Sequence, residues 1–155
     1  MNINDACDYI IERMSGAGST LNLLKLQKLL YYVQGWHLAF YKAPLFEGKF
    51  QAWVHGPVNR EIYDRFRHEK SLYSTVDTSD LRLGYSSSQN LSAASIQHIN
   101  SVLDTYGCFT GDQLEYMTHQ EDPWVQARGD LESSARCESE IDERTMATYY
   151  SSRLQ

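Results

Sequence analysis

The chain has 155 residues and a formal net charge of −6, with 42% hydrophobic and 22% charged residues. These values fit one soluble domain of ordinary size that buries its own core without staples. The acidic balance argues against nucleic acid as a partner, because phosphate binding needs a positive field.

Residues 4–14 read as a first helix: Ala6, Tyr9, Ile10 and Met14 recur near helical spacing, and Asn4 or Asp5 is placed to cap it. The stretch Ser15-Gly16-Ala17-Gly18-Ser19 ends it. Residues 21–41 read as the longest helix, with Leu26, Leu29, Leu30, Val33, Trp36, His37 and Phe40 in one wide stripe. Leu24, Tyr31, Tyr32, Leu38 and Tyr41 spread around the rest of the wheel. A helix apolar on most sides is central to its fold, and Pro44 closes this one.

In 46–59, Phe50, Ala52 and Val54 alternate with Gln51, Trp53 and His55, which suggests one small β element near residues 49–55. Gly56-Pro57 then reads as a turn, with Pro57 at the first position of a helix over 58–69. Residues 71–92 have little periodicity and read as a variable surface loop or mobile flap. Ser92 caps a helix over 93–106 that Gly107 ends. Thr110 starts a shorter helix holding Leu114 and Met117, and Asp122-Pro123-Trp124 starts another. Residues 130–155 read as a C-terminal helical tail, with its helix at about 139–153. The fold class is therefore mainly α: a single compact helical domain, 1–155, around a long central helix.

Cys7, Cys108 and Cys137 are odd in number and form no CxxC pair, which argues against disulfides and zinc and for a cytoplasmic location. The N-terminus lacks the apolar core of a signal peptide, and the most apolar run holds two lysines and two glutamines, too polar for a membrane span.

The stretch Thr118-His119-Gln120-Glu121-Asp122-Pro123-Trp124 raises the question of a reactive site. A His-Glu pair could do acid/base work inside a cleft. Thr118 and Glu121 also have capping-box spacing, and Asp122-Pro123 has the character of a helix start. That reading needs no catalysis and leaves Trp124 to plug the core. The histidines lack metal-helix spacing, and His37 reads as a hydrogen-bonded core histidine. No nucleophile elbow and no phosphate-binding loop is present, and the charges of 60–70 read as a solvated helix face. The residues thus support no enzyme, no cofactor and no metal. They do not name a function.

Three pieces taken together, "KLQKLLYYVQGWHLAFYKAPLF" (25–46), "FQAWVHGPVNREIYDRF" (50–66) and "LEYMTHQEDPWVQAR" (114–128), resemble the Panacea domain of SocA-like antitoxins and phage-associated bacterial proteins. The motif falls on Lys25, Gln27, Lys28, Leu29, Leu30, Tyr31, Trp36 and His37 of the long helix. It continues over Trp53, Gly56, Pro57, Val58 and Tyr63, then Thr118, His119, Glu121, Pro123 and Trp124; His55 is a mild departure. The resemblance implies an antitoxin that binds a cognate toxin protein, with delivery to a ClpX-type unfoldase as an adaptor form of that role. It implies that the motif residues are scaffold as much as partner-binding face. An enzyme or ligand-binding domain using the His119/Glu121 corner is the alternative.

Overall fold

The computed structural model describes residues 1–154. In chain order it carries α1 (Ile3–Gly16), α2 (Leu23–Tyr41), β1 (Phe50–Trp53), β2 (Gly56–Asn59), α3 (Arg60–Phe66), α4 (Ser87–Asn90), α5 (Ala93–Tyr106), α6 (Gly111–His119), α7 (Asp122–Arg128) and α8 (Glu143–Ser151). The fold is mainly α, and its two strands form one small antiparallel hairpin.

α2 is the hub. The Asn22 side chain caps it by accepting from the Lys25 amide. The helix packs against α1, α5, α6, α8 and β2. Its tyrosines fill the centre: Tyr31 and Tyr32 are fully buried and meet Tyr150 of α8 edge-on, and Tyr32 stacks on Tyr106 of α5. Burying a large apolar or aromatic side chain stabilises by about 1.5–3 kcal/mol, so this cluster ties α2, α5 and α8 together.

The stripe read along α2 holds at Leu26, Leu29, Leu30 and Val33 and drifts outward at its end. Phe40 is 54% exposed, while Leu38 and Ala39 are buried against the body. His37 is a half-buried residue whose Nδ1 meets the Ala43 carbonyl at 2.6 Å, so it belongs to the helix end rather than the core.

α2 also buries Lys25, Gln27, Lys28 and Gln34. Each reaches a backbone carbonyl of another segment: Gly107, Asn59, Pro57 and Phe46 respectively. Buried polar groups need such partners, and here they staple the neighbours onto the hub.

Three boundaries differ from the sequence reading. α1 is capped by Asn2, because Asn4 is bonded to Glu61 and Asp5 to Arg82 and Asn90. Gly56-Pro57 opens β2 rather than a helix; Asn59 caps α3, which spans Arg60–Phe66. The last helix begins at Glu143, because the chain before it lies extended along β1: Ala52 N–H donates to Ser139 O and Ile141 N–H to Phe50 O.

The 71–92 segment is held rather than hanging as a flap. Its backbone satisfies the start of α2, with Leu24 N–H donating to Leu72 O and Leu23 N–H to Ser74 O. Arg82 donates to Asp8 at 2.5 Å and to Asp5 at 2.6 Å, and Arg65 of α3 donates to Asp8 at 2.6 Å and to the Asp80 carbonyl. Asp8 is fully buried, so its carboxylate is the centre of the clasp. Asp8→Asn removes the charge that two guanidiniums share. We expect it to lower unfolding stability by about 2–3 kcal/mol in urea titration and to speed amide exchange over 77–91.

Candidate functional site

β1 and β2 pair from Phe50↔Asn59 to Trp53↔Gly56, leaving Val54-His55 as a two-residue turn. Neither turn residue has positive φ, and the left-handed residue is Gly56 just after them, at φ 99°, as where a type I turn is followed by a left-handed glycine. Its missing side chain matters as well. A Cβ there would lie 2.5 Å from Lys28 Cε and 3.0 Å from Thr118 Oγ1. Gly56→Ala should therefore cost about 2–3 kcal/mol through backbone strain and overpacking, read as a lower urea midpoint.

Several of the motif residues meet around this turn. Lys28 Nζ donates to Pro57 O at 3.0 Å, and Gln27 exchanges two hydrogen bonds with the Asn59 backbone. Trp124 Nε1 donates to Trp53 O, with Pro123 buried beside it. Away from the turn, Trp36 donates to Tyr106, and the Tyr31 and Tyr150 hydroxyls meet at 3.1 Å. His37 and Lys25 sit away from the turn, at the two ends of α2.

His119 and Glu121 do not share a site. The His119 ring stacks on Trp124 with centroids 4.0 Å apart, and its Nε2 is buried without a partner. Burial holds its pKa below the ordinary histidine value, although Glu115 and the Val54 carbonyl pull the other way. Glu121 points elsewhere, accepting from Tyr150 at 2.7 Å and Tyr32 at 2.9 Å. Its burial raises the carboxyl pKa, against the pull of both phenols. The expected capping box is absent: Thr118 Oγ1 donates back to Glu115 O, and Glu121 caps α7 without a side-chain bond. The tyrosine cluster takes the carboxylate that the cap would have used.

His55 meets Glu115 at 3.2 Å on the surface. Among the described residues, no three His, Cys, Asp or Glu side chains converge on one point. No helix among them is long and apolar enough to cross a membrane.

A groove of about 560 Å³ lies on the outer face of the hairpin. Trp53 and Tyr63 form its aromatic wall, edge to face at 4.9 Å, and the Arg60 guanidinium lies 5.6 and 5.4 Å from their ring centres. Val58 and Leu23 back it, segment 70–72 forms one lip, and 136–138 forms the other. The charges of α3 do form the expected helix-face pair, Arg60–Asp64, at 3.8 Å. Arg60 also crosses to Glu138 at 2.7 Å, which no local spacing announces.

Sequence reasoning missed Arg128. It is buried, donates to Ala52 O at 2.8 Å and Glu132 O at 2.9 Å, bonds the Ala135 carbonyl, and lies 4.8 Å over Trp124. A basic residue ending a short helix carries no local sign that it will bridge a strand and a loop.

Against known proteins, a family model described as "Antitoxin SocA-like, Panacea domain" matches residues 26–125, well over half of the chain. No curated protein and no solved structure matches.

Proposed function

The chain belongs to the antitoxin SocA-like Panacea-domain family, and on that premise we propose that it neutralises a cognate toxin by binding it directly. The observation that carries the proposal is the family match, which spans all three motif pieces apart from Lys25 and the last few residues of the third. The family supports an antitoxin-like role acting through a protein partner. Direct inhibition is the first form of that role. Delivery of the toxin to a ClpX-type unfoldase is a second form open to the same complex.

The motif side chains support a division of labour. Lys25, Gln27, Lys28 and Trp124 are spent on backbone carbonyls inside the fold. They serve as scaffold and leave partner choice to the surface around them. A neutralising complex of ordinary size would bury about 1,600 Å² in total, centred on aromatic or arginine anchors.

A tagged copy co-expressed with the product of the adjacent gene tests the reading. It should co-purify that product in fixed stoichiometry, with a mass in solution equal to the sum of the parts. Free monomers of both proteins at micromolar concentration would contradict it.

A further inference from the structure

We infer that the Trp53–Tyr63 groove is the docking site for an acidic segment of the partner protein, one that carries an apolar or aromatic side chain between its carboxylates. The inference rests on the protein-binding role proposed above and names the surface that performs it.

The wall and back of the groove are apolar. Trp53 and Tyr63 present ring surface beside Val58 and Leu23, so the bottom takes an apolar side chain. Trp53 is fixed in place at two points. Its Nε1 donates to Gln51 at 2.7 Å, and its carbonyl is bonded by Trp124. Rigid aromatic walls of this kind serve as anchors at interfaces because they lose little freedom on binding.

The rim adds charge. The chain as a whole carries −6, yet the rim of this groove reverses the sign. Arg60, Arg67 and Arg136 share two carboxylates: Glu138 meets Arg60 and Arg136, and Asp64 meets Arg60 and Arg67. Three guanidiniums hold far more N–H donors than two carboxylates can accept. The Arg136 side chain is 86% exposed and, among the described residues, meets one carboxylate at 3.4 Å, so it can turn to an incoming acid. Partner carboxylates would be held by charge-assisted, bidentate bonds at these arginines.

The same charges favour a peptide over a nucleic acid. Nucleic-acid affinity grows with the number of phosphates that free cations neutralise. Each guanidinium here is already part-paired, and a strand leaving the groove would run over an acidic body. A short acidic segment with one apolar side chain uses the floor and the rim at once and ends within the rim, whereas a nucleic-acid strand continues over the acidic body.

The test uses the whole chain labelled with nitrogen-15 and the acetylated hexapeptide Glu-Asp-Leu-Phe-Asp-Glu. Three tryptophans give three indole resonances, and Trp53→Phe identifies the one in the groove. The peptide should shift the Trp53 indole together with amides of 70–72 and 136–138. The exposed pair Arg67→Glu and Arg136→Glu should weaken binding by about tenfold or more, with an unchanged fold by circular dichroism. The milder Arg136→Ala should weaken it by a smaller factor. No shift up to about 1 mM peptide, equal binding of Lys-Lys-Leu-Phe-Lys-Lys, or tighter binding of a thymidine oligonucleotide would each overturn the inference. So would a self-dimer that occupies the groove. With the product of the adjacent gene, a complex that survives Arg67→Glu/Arg136→Glu undiminished overturns the groove and leaves the neutralisation role standing. No complex with the unaltered chain defeats that role, and the peptide titration then decides the groove alone.

Discussion

Arg128→Ala should lower unfolding stability by about 3–5 kcal/mol, one of the two largest effects we expect from any single substitution in this chain. The guanidinium is buried, and among the described residues it pairs with no carboxylate. It is held by carbonyls: Ala52 of β1, and Glu132, Ser133 and Ala135 of the following loop. Charge-assisted bonds of this kind contribute about 1.5–3 kcal/mol each when their partners would otherwise be stranded. The side chain also covers the face of Trp124, whose indole fixes the Trp53 carbonyl. Its loss frees the 131–138 loop, and with it the lip that carries Arg136 and Glu138. Hydrogen exchange should report this as lost protection at Ala52 and Ile141, whose amides bridge β1 and the extended segment after the loop. Arg128→Lys should recover little, since one ammonium cannot span both β1 and the loop. A variant with an unchanged urea midpoint and unchanged exchange would show that the loop is held by something else.

The second large effect is a pH dependence. Lys28 Nζ is fully buried with a single hydrogen bond, to Pro57 O. Burial lowers its pKa to about 7, against the opposing pull of the Glu115 charge. The unfolded chain holds this proton up to the ordinary lysine pKa of 10.5, and the folded chain releases it near 7. Between those values the unfolded state binds more protons, so stability rises with pH across the window. The penalty is complete below about pH 7 and fades toward pH 10. Lys28→Met has no such proton. Measured in parallel from pH 6 to pH 10, the difference between the two proteins should move in favour of the unaltered chain by up to about 1.4 kcal/mol per pH unit. At pH 7 and below, Lys28→Met should be at least as stable as the unaltered chain, despite the lost bond to Pro57 worth about 1 kcal/mol. Parallel curves would mean that Lys28 is charged in the folded state. Tyrosine and cysteine ionisation is common to both proteins and cancels in the comparison.

What can be read from the residues divides by the distance over which each feature is decided. α5 runs from Ala93 to Tyr106 as expected, because Ser92 and Gly107 mark its ends locally. α6 starts at Gly111 for the same reason, behind the Thr110 cap, with Gln113 completing a capping box. The start of β2 escapes a local reading because Gly56-Pro57 is equally good chemistry for a helix start. What decides for strand is pairing with β1 and the bonds of Lys28 and Gln27 from α2. Glu121 has capping-box spacing to Thr118, but its preferred donors, Tyr32 and Tyr150, lie far off in the chain. The 71–92 segment reads as loose by composition, and only the distant Asp8 shows that Arg82 clasps it. The groove has the same origin: Trp53 and Tyr63 stand in one motif piece, while Arg136 and Glu138 arrive from outside every motif. The family match covers Trp53, Tyr63, Arg60 and Arg67 and ends before Arg136 and Glu138.

Neutralisation by direct binding is the central claim, and growth measures it most directly. Cells induced for the adjacent gene should arrest alone and resume growth when this chain is co-expressed, with colony counts restored by orders of magnitude. Cells that stay arrested although the chain is present, folded and in excess would contradict the account.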